Sequence, residues 1–370
     1  MQRLLYLIII SSLVFSCGRP GSSVRTEGYA GHATGFKVER SAGYTLVELT
    51  DPWNAGRILQ RYVLVPRSAS LPDDLPQGTL VRTPIRRLAV YSSVHVAMIE
   101  MLGALESIEG VCEPMYIGSE AVRERVASGI TADLGMSVSP NVERMIDREI
   151  EYIIASPFRN ADYGAAAKTG IPIIEGADYT ETTPLGRAEW IRFFGLLLER
   201  EEKADSLFAA TEGEYRALKQ LAASAPGRPG VLTEKRYGSS WYVPVGGSYM
   251  SVMLSDAGAA NAFDHLSGVG SVPLAFETVL DTAVDADFWL IKYNTAALLT
   301  YKSLRDEFTP YANFEAYRNR NIYACHTGLT PYHEDTPIRP DLLLKDLIRI
   351  FHPHLLPNHS PRYYQPIAEE

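Results

Sequence analysis

Two acidic residues stand in matching contexts in the two halves of this 370-residue chain. Glu143 follows Pro140-Asn141-Val142 and precedes Ile146, Ile150 and the apolar run from Tyr152 to Ala155; Glu277 follows Phe276 and precedes Leu280, Val284 and the run from Phe288 to Ile291. In both, apolar residues three and seven positions after the acid share one helical face, which leaves the carboxylate exposed in the first turn with a buried strand behind it. A single Glu in that position is ordinary helix-dipole complementarity, worth roughly 0.3–1 kcal/mol. A doubled one predicts a two-lobed protein that offers one carboxylate per lobe to a basic partner.

Other residue types raise enzyme chemistry. Ser92 lies where a strand turns into a helix, as a hydrolase nucleophile would, yet Val90 and Val94 occupy the positions that the Gly-x-Ser-x-Gly elbow gives to glycine. A helix-capping serine is the better expectation. His326, His333 and Glu334 are candidate ligands for zinc or iron, which makes a metal-dependent hydrolase using His326 and His333 the alternative function. His352, His354 and His359 lie in a Pro-rich stretch near the carboxyl terminus and are assigned no chemistry.

The amino terminus carries a location signal. Arg3, the apolar stretch Leu4 to Ile10 and the segment ending at Cys17-Gly18 read as an export signal, too short for a membrane span of about 20 residues. A cysteine directly after such a stretch resembles a bacterial lipobox, so residues 1–17 are read as a signal peptide with Cys17 lipidated, leaving a protein anchored in the periplasm to a bacterial membrane. The two other cysteines, Cys112 and Cys325, are either paired or buried as free thiols, and their spacing builds no metal knuckle. A formal charge of -9 without basic clusters excludes a nucleic-acid partner and suits a basic one.

The elements that position these groups follow from periodicity. Residues 18–84 hold a tether, a β-rich extension with strands at Phe36–Glu39, Tyr44–Leu49 and Arg61–Val65, and a Pro-rich linker at Ser68–Gly78. Residues 85–187 alternate strand and helix, with buried strands at Arg87–Tyr91, Ile108–Val111, Ile150–Ala155 and Ile171–Ile174. Residues 188–225 have apolar residues at helical spacing, from Ile191 to Leu218, and predict one long helix between two lobes. Residues 226–370 repeat the alternation, with strands at Gly230–Thr233, Trp289–Lys292 and Ile322–Ala324. The expected fold is therefore α/β, with two Rossmann-like lobes built on parallel sheets.

The chain resembles a class III periplasmic substrate-binding protein of an ATP-driven (ABC) importer, the group that captures ferric siderophores, haem and cobalamin. The residues that carry the resemblance are Arg87 to Ser93, Leu102-Gly103-Ala104, Ile108 to Val111, Asn141 to Arg144, Gly170 to Ile173 and Gly195 to Ala204 in the first half. In the second they are Gly246-Gly247-Ser248, Asp256 to Asn261, Glu277, Leu342 to Leu347 and Phe351-His352-Pro353. The usual Pro-Asp opening the strand after each glutamate is replaced by Ile150-Glu151 and Ala286-Asp287, and the β-rich extension is an addition. The resemblance implies a monomer that is not an enzyme and has no cofactor of its own. Its ligand would be a metal chelate held between the lobes, and Glu143 and Glu277 would dock on basic residues of an inner-membrane permease.

In an open α/β sheet the ligand meets loops after the carboxyl ends of the strands. Those loops supply Ser92, Tyr116 and Arg159 from the first lobe and Arg236, Tyr237, Trp241, Tyr242, Tyr293, His326 and Tyr332 from the second. Rings stack on flat chelates, and arginines pair with carboxylates.

Overall fold

The computed structural model describes residues 31–160 and 162–370; Cys17 and the export segment lie outside the described residues. Among the described residues no helix is long and apolar enough to cross a membrane.

The first lobe is a five-stranded sheet in which Leu88–Val90, Ile108–Val111, Ala132–Asp133, Tyr152–Ala155 and Ile173–Glu175 all run parallel. Numbered along the chain, the strands lie in the spatial order five, four, one, two, three. The second lobe has Gly230–Thr233, Ala260–Asn261, Phe288–Tyr293 and Ile322–His326 in parallel, with Gln365–Pro366 added antiparallel at one edge. Its order is two, one, three, four, five. The central strands are buried on both faces: every residue of Leu88–Val90 and Tyr152–Ala155 is buried, as the continuous apolar runs demand.

The segment read as one interlobe helix divides. Trp190–Leu198 is one helix, Glu199 adopts a left-handed conformation at φ 52°, and Glu201–Ala222 is a second helix of 22 residues. The correction has a local cause, because Gly195 seats against the side chain of Ala204, where a β-carbon would come within 2.6 Å, and the chain must turn to bring them together. The longer helix still bridges the lobes, with Ala204 and Phe208 in the first core and Tyr215, Leu218 and Ala222 in the second.

The extension is welded to the first lobe. Its sheet has four strands, the three expected and Thr79–Thr83, which lies just beyond the Pro-rich stretch and pairs in parallel with Ile58–Pro66. Phe36, Val38, Val47, Leu49, Tyr62 and Val81 share one core with Trp190, Phe193 and Val90. Two buried carboxylates clip its leading segment: Glu181 accepts from the backbone N–H groups of Thr34 and Gly35 and from the Trp190 indole, and Glu189 accepts from those of His32 and Ala33.

A second tie crosses between lobes. The helix Ser93–Met101 of the first packs on Tyr332–Ile338 of the second, Ile338 reaches into the first core, and the Gly118 N–H donates to Glu334 Oε1 at 2.7 Å. Burial raises the Glu334 pKa above the ordinary range, and the Gly118 bond only partly opposes it.

Candidate functional site

Each lobe carries a cavity where its strand order reverses. In the first lobe that point lies between Leu88–Val90 and Tyr152–Ala155, and the loops that leave them, Tyr91–Ser93 and Ser156–Phe158, line a cavity of about 520 Å³. Glu113, Tyr116, Ser137, Val138, Asp162 and Tyr163 complete it, with the Cys112 thiol at its wall. In the second lobe the reversal lies between Gly230–Thr233 and Phe288–Tyr293, and a cavity of about 410 Å³ is lined by Glu234, Lys235, Arg236, Tyr237, Tyr242, Ser271 and Lys292.

Several expected residues are brought to these walls. Ser92 and Tyr116 line the first cavity, and Tyr116 is 66% exposed. Arg236, Tyr237 and Tyr242 line the second, with Tyr237 at 83% exposure. Ser92 begins the helix Ser93–Met101 but makes no side-chain capping bond, contrary to the expectation from its position; its hydroxyl is left to the cavity. Arg159 is exposed beside Phe158 but does not line the cavity.

Two expected contacts are corrected. Trp241 is fully buried, stacked on Trp289 at 5.5 Å between ring centroids, with its indole N–H donating to the Thr233 carbonyl at 2.9 Å. Ser240–Pro244 is an antiparallel strand, and its period of two sends Trp241 and Val243 inward and Tyr242 out. Tyr332 is 5% exposed, packed edge-on against Tyr363 and Tyr364 at the start of its helix rather than on a loop.

Tyr293 and His326 lie side by side at 4.7 Å and border a separate groove of about 400 Å³ next to the carboxyl-terminal strand. Both His326 ring nitrogens are engaged: Nε2 donates to the Thr295 carbonyl at 2.9 Å, and Nδ1 accepts from the Gly328 N–H at 3.2 Å. Among the described residues no group of three or more His, Cys, Asp or Glu side chains is placed to hold a metal ion. Cys112 and Cys325 are free and buried, and burial pushes the Cys112 thiol up to about 12.

Charged groups lining the second cavity and a hollow beside the first both act on His333. His333, from the second lobe, has its pKa lowered by burial and then by Lys292 and Arg187. Lys292 lines the second cavity, while Arg187 lines a hollow that adjoins the first and shares Ser92, Ser156 and Phe158 with it. Burial opposes the Lys292 charge, but the Glu234 carboxylate bonded to it, together with Tyr332 and Cys325, outweighs burial and raises its pKa. In the same hollow lies a group that sequence reasoning missed: Asp178 accepts from His95 Nε2 and from Arg187 Nε, both at 3.0 Å. No local motif marks it, because the three come from separate segments.

Glu143 and Glu277 are both exposed on helix first turns and take no hydrogen bond or ion pair among the described residues. Their helices face the core differently from the expectation. The first buried residue comes two positions after each acid, at Met145 and Val279, while Ile146 is 61% exposed and Ile150 lies beyond the helix end.

A sequence profile described as periplasmic binding protein matches residues 88–328. An uncharacterised lipoprotein of Methanocaldococcus jannaschii is 26% identical over 77% of this chain and 69% of its own length. Among solved structures, an ABC-type Fe3+-hydroxamate transport protein from Saccharomonospora viridis superposes with a TM-score of 0.56 at 19% identity, covering 73% of this chain and 94% of that one. A periplasmic haem-binding protein solved with two haems gives 0.57 at 17% identity, covering 73% and 99%. At these identities the structural likeness speaks for the fold alone.

Proposed function

Since the chain belongs to the periplasmic binding protein family, a family of transport proteins and not of enzymes, we propose that it captures a metal chelate between its lobes and delivers it to the permease of an importer. The observation that carries this reading is the pair of cavities, one per lobe, at the strand-order reversals of two parallel sheets whose lobes pack together through Ser93–Met101 and Tyr332–Ile338. An iron complex, whether siderophore or haem, or a corrinoid is the ligand class, consistent with the ring-bearing walls and with proteins of the same fold that carry Fe3+-hydroxamate and haem. Glu143 and Glu277 are the permease contacts, and Cys17 is the lipid anchor, in keeping with a relative named as a lipoprotein. The metal-hydrolase alternative loses its ligand set, since His326 already spends both nitrogens on the backbone.

The test is direct. Full-length protein is mixed with haem, cyanocobalamin or a ferric siderophore, passed over a desalting column, and its retained metal is measured. One compound retained at one equivalent per chain is the expected result. Retention of none would overturn the reading.

A further inference from the structure

The two cavity walls differ in charge. The first-lobe cavity is lined by two carboxylates, Glu113 and Asp162, and by no Lys or Arg. Glu113 is fixed in place: its backbone is left-handed at φ 49°, and its Oε1 accepts from the Ser137 N–H at 3.0 Å and the Ser137 hydroxyl at 2.9 Å. Asp162 Oδ1 accepts from the Gly164 N–H at 3.0 Å. The second oxygen of each carboxylate has no partner among the described residues, and neither do the hydroxyls of Ser92 and Ser156. The second-lobe cavity carries Lys235, Arg236 and Lys292, but Glu307 holds Lys235 at 2.5 Å and Glu234 holds Lys292. Arg236 has no carboxylate partner among the described residues: its Cζ lies 3.9 Å from the centroid of the Phe308 ring, and its side chain also reaches Tyr311.

We infer that Glu113 and Asp162 make the site selective by charge: the cargo presents a neutral or cationic, hydrogen-bond-donating surface to the first lobe, and any anionic group points to Arg236. This inference rests on the proposed function and narrows its ligand class. A like charge brought against a carboxylate in a partly enclosed wall is repelled far more strongly than in bulk water. A polyanionic chelate seated against the first wall meets carboxylates, whereas a neutral one meets hydroxyls and rings. Arg159 lies near, but outside the cavity wall, where solvent screens it.

The experiment is calorimetric titration of the full-length chain with two chelates of similar size, a neutral ferric trihydroxamate and a trianionic ferric tricatecholate, repeated on the double variant Glu113→Gln/Asp162→Asn. Both side chains reach the surface of the cavity wall, so the variant keeps the fold, checked by its melting curve. The wild type is expected to favour the neutral chelate by at least about thirtyfold, and the variant to shrink that preference by about tenfold through tighter binding of the anion. Equal or tighter binding of the anion by the wild type, or an unchanged ratio in the variant, overturns the inference and leaves the chelate-binding function standing. Absence of binding by either chelate also overturns the inference, and the chelate-binding function then stands or falls on the retention test with haem and cyanocobalamin.

Discussion

Exchanging both Glu143 and Glu277 for Lys is expected to cut uptake of the bound chelate at least about a hundredfold while leaving its affinity within about twofold. The two carboxylates are exposed, unpartnered and one per lobe, so the protein loses no internal contact when they change. Under the proposed docking, what changes is the encounter with a basic permease surface: each attraction becomes a repulsion, and like charges set against each other across an interface cost several kcal/mol, where 1.4 kcal/mol is a factor of ten. Either single exchange should cost less than the pair, because the other lobe still docks. Uptake measured in cells that depend on this chain, beside a binding titration of the same variant, separates docking from capture. Uptake that survives the double exchange would remove both residues from the interface.

Substituting Asp178 with Asn is expected to destabilise the fold by roughly 3–5 kcal/mol, the usual cost of removing one partner from a buried charge network. Asp178 is 2% exposed and holds His95 and Arg187 at once; an amide presents one acceptor to two donors and leaves the Arg187 charge unpaired. The loss also loosens the lobes, because Arg187 lies over the Tyr249 ring at 5.8 Å and Leu185, two residues away, packs in the second core. Burial alone would raise the Asp178 pKa, but the His95 bond and the Arg187 charge outweigh it and hold the carboxyl below its ordinary value. A depressed carboxylate contributes stability that is fully present above its unfolded pKa, about 3.9, and that fades as pH falls through the lower folded value. Thermal unfolding of wild type and variant should therefore differ most from neutral pH down to about pH 4 and converge in stronger acid. A gap that is absent at pH 7, or that persists unchanged below the ordinary Asp range, would contradict this account.

The parallel sheets were legible because their central strands are uninterrupted apolar runs, such as Tyr152 to Ala155, that only a doubly covered sheet can bury. The bridging helix was legible from the spacing of Ala204, Phe208, Tyr215 and Leu218, whereas its break at Glu199 depended on a packing contact between Gly195 and Ala204 that no local pattern announces. Two-residue edge strands such as Ala132–Asp133 and Ala260–Asn261 carry too few residues to show a period. At the site, adjacency misled. Trp241 and Tyr242 are neighbours in a strand, so only one of them can face the cleft, and the two-residue period was the available signal that Tyr242 is that one. Tyr332 failed for a different reason: it was placed on the loop after the strand at Ile322–Ala324, but the segment closes into a helix whose first ring is needed against Tyr363 and Tyr364. Glu113, Ser137 and Asp162 were passed over because polar residues in a loop carry no mark of the cavity that the fold assembles around them.

The most direct test of the central claim is a fluorescence titration, with whichever chelate the protein retains, of the wild type against the double variant Tyr116→Ala/Phe158→Ala. Both rings line the first-lobe cavity and are more than half exposed, at 66% and 56%, so their loss removes ligand contact without opening the core. Capture in the cleft predicts saturable one-to-one binding by the wild type and affinity at least about tenfold weaker in the variant, roughly one stacked ring's worth of interaction. The same affinity in both proteins would place the ligand elsewhere and contradict the account.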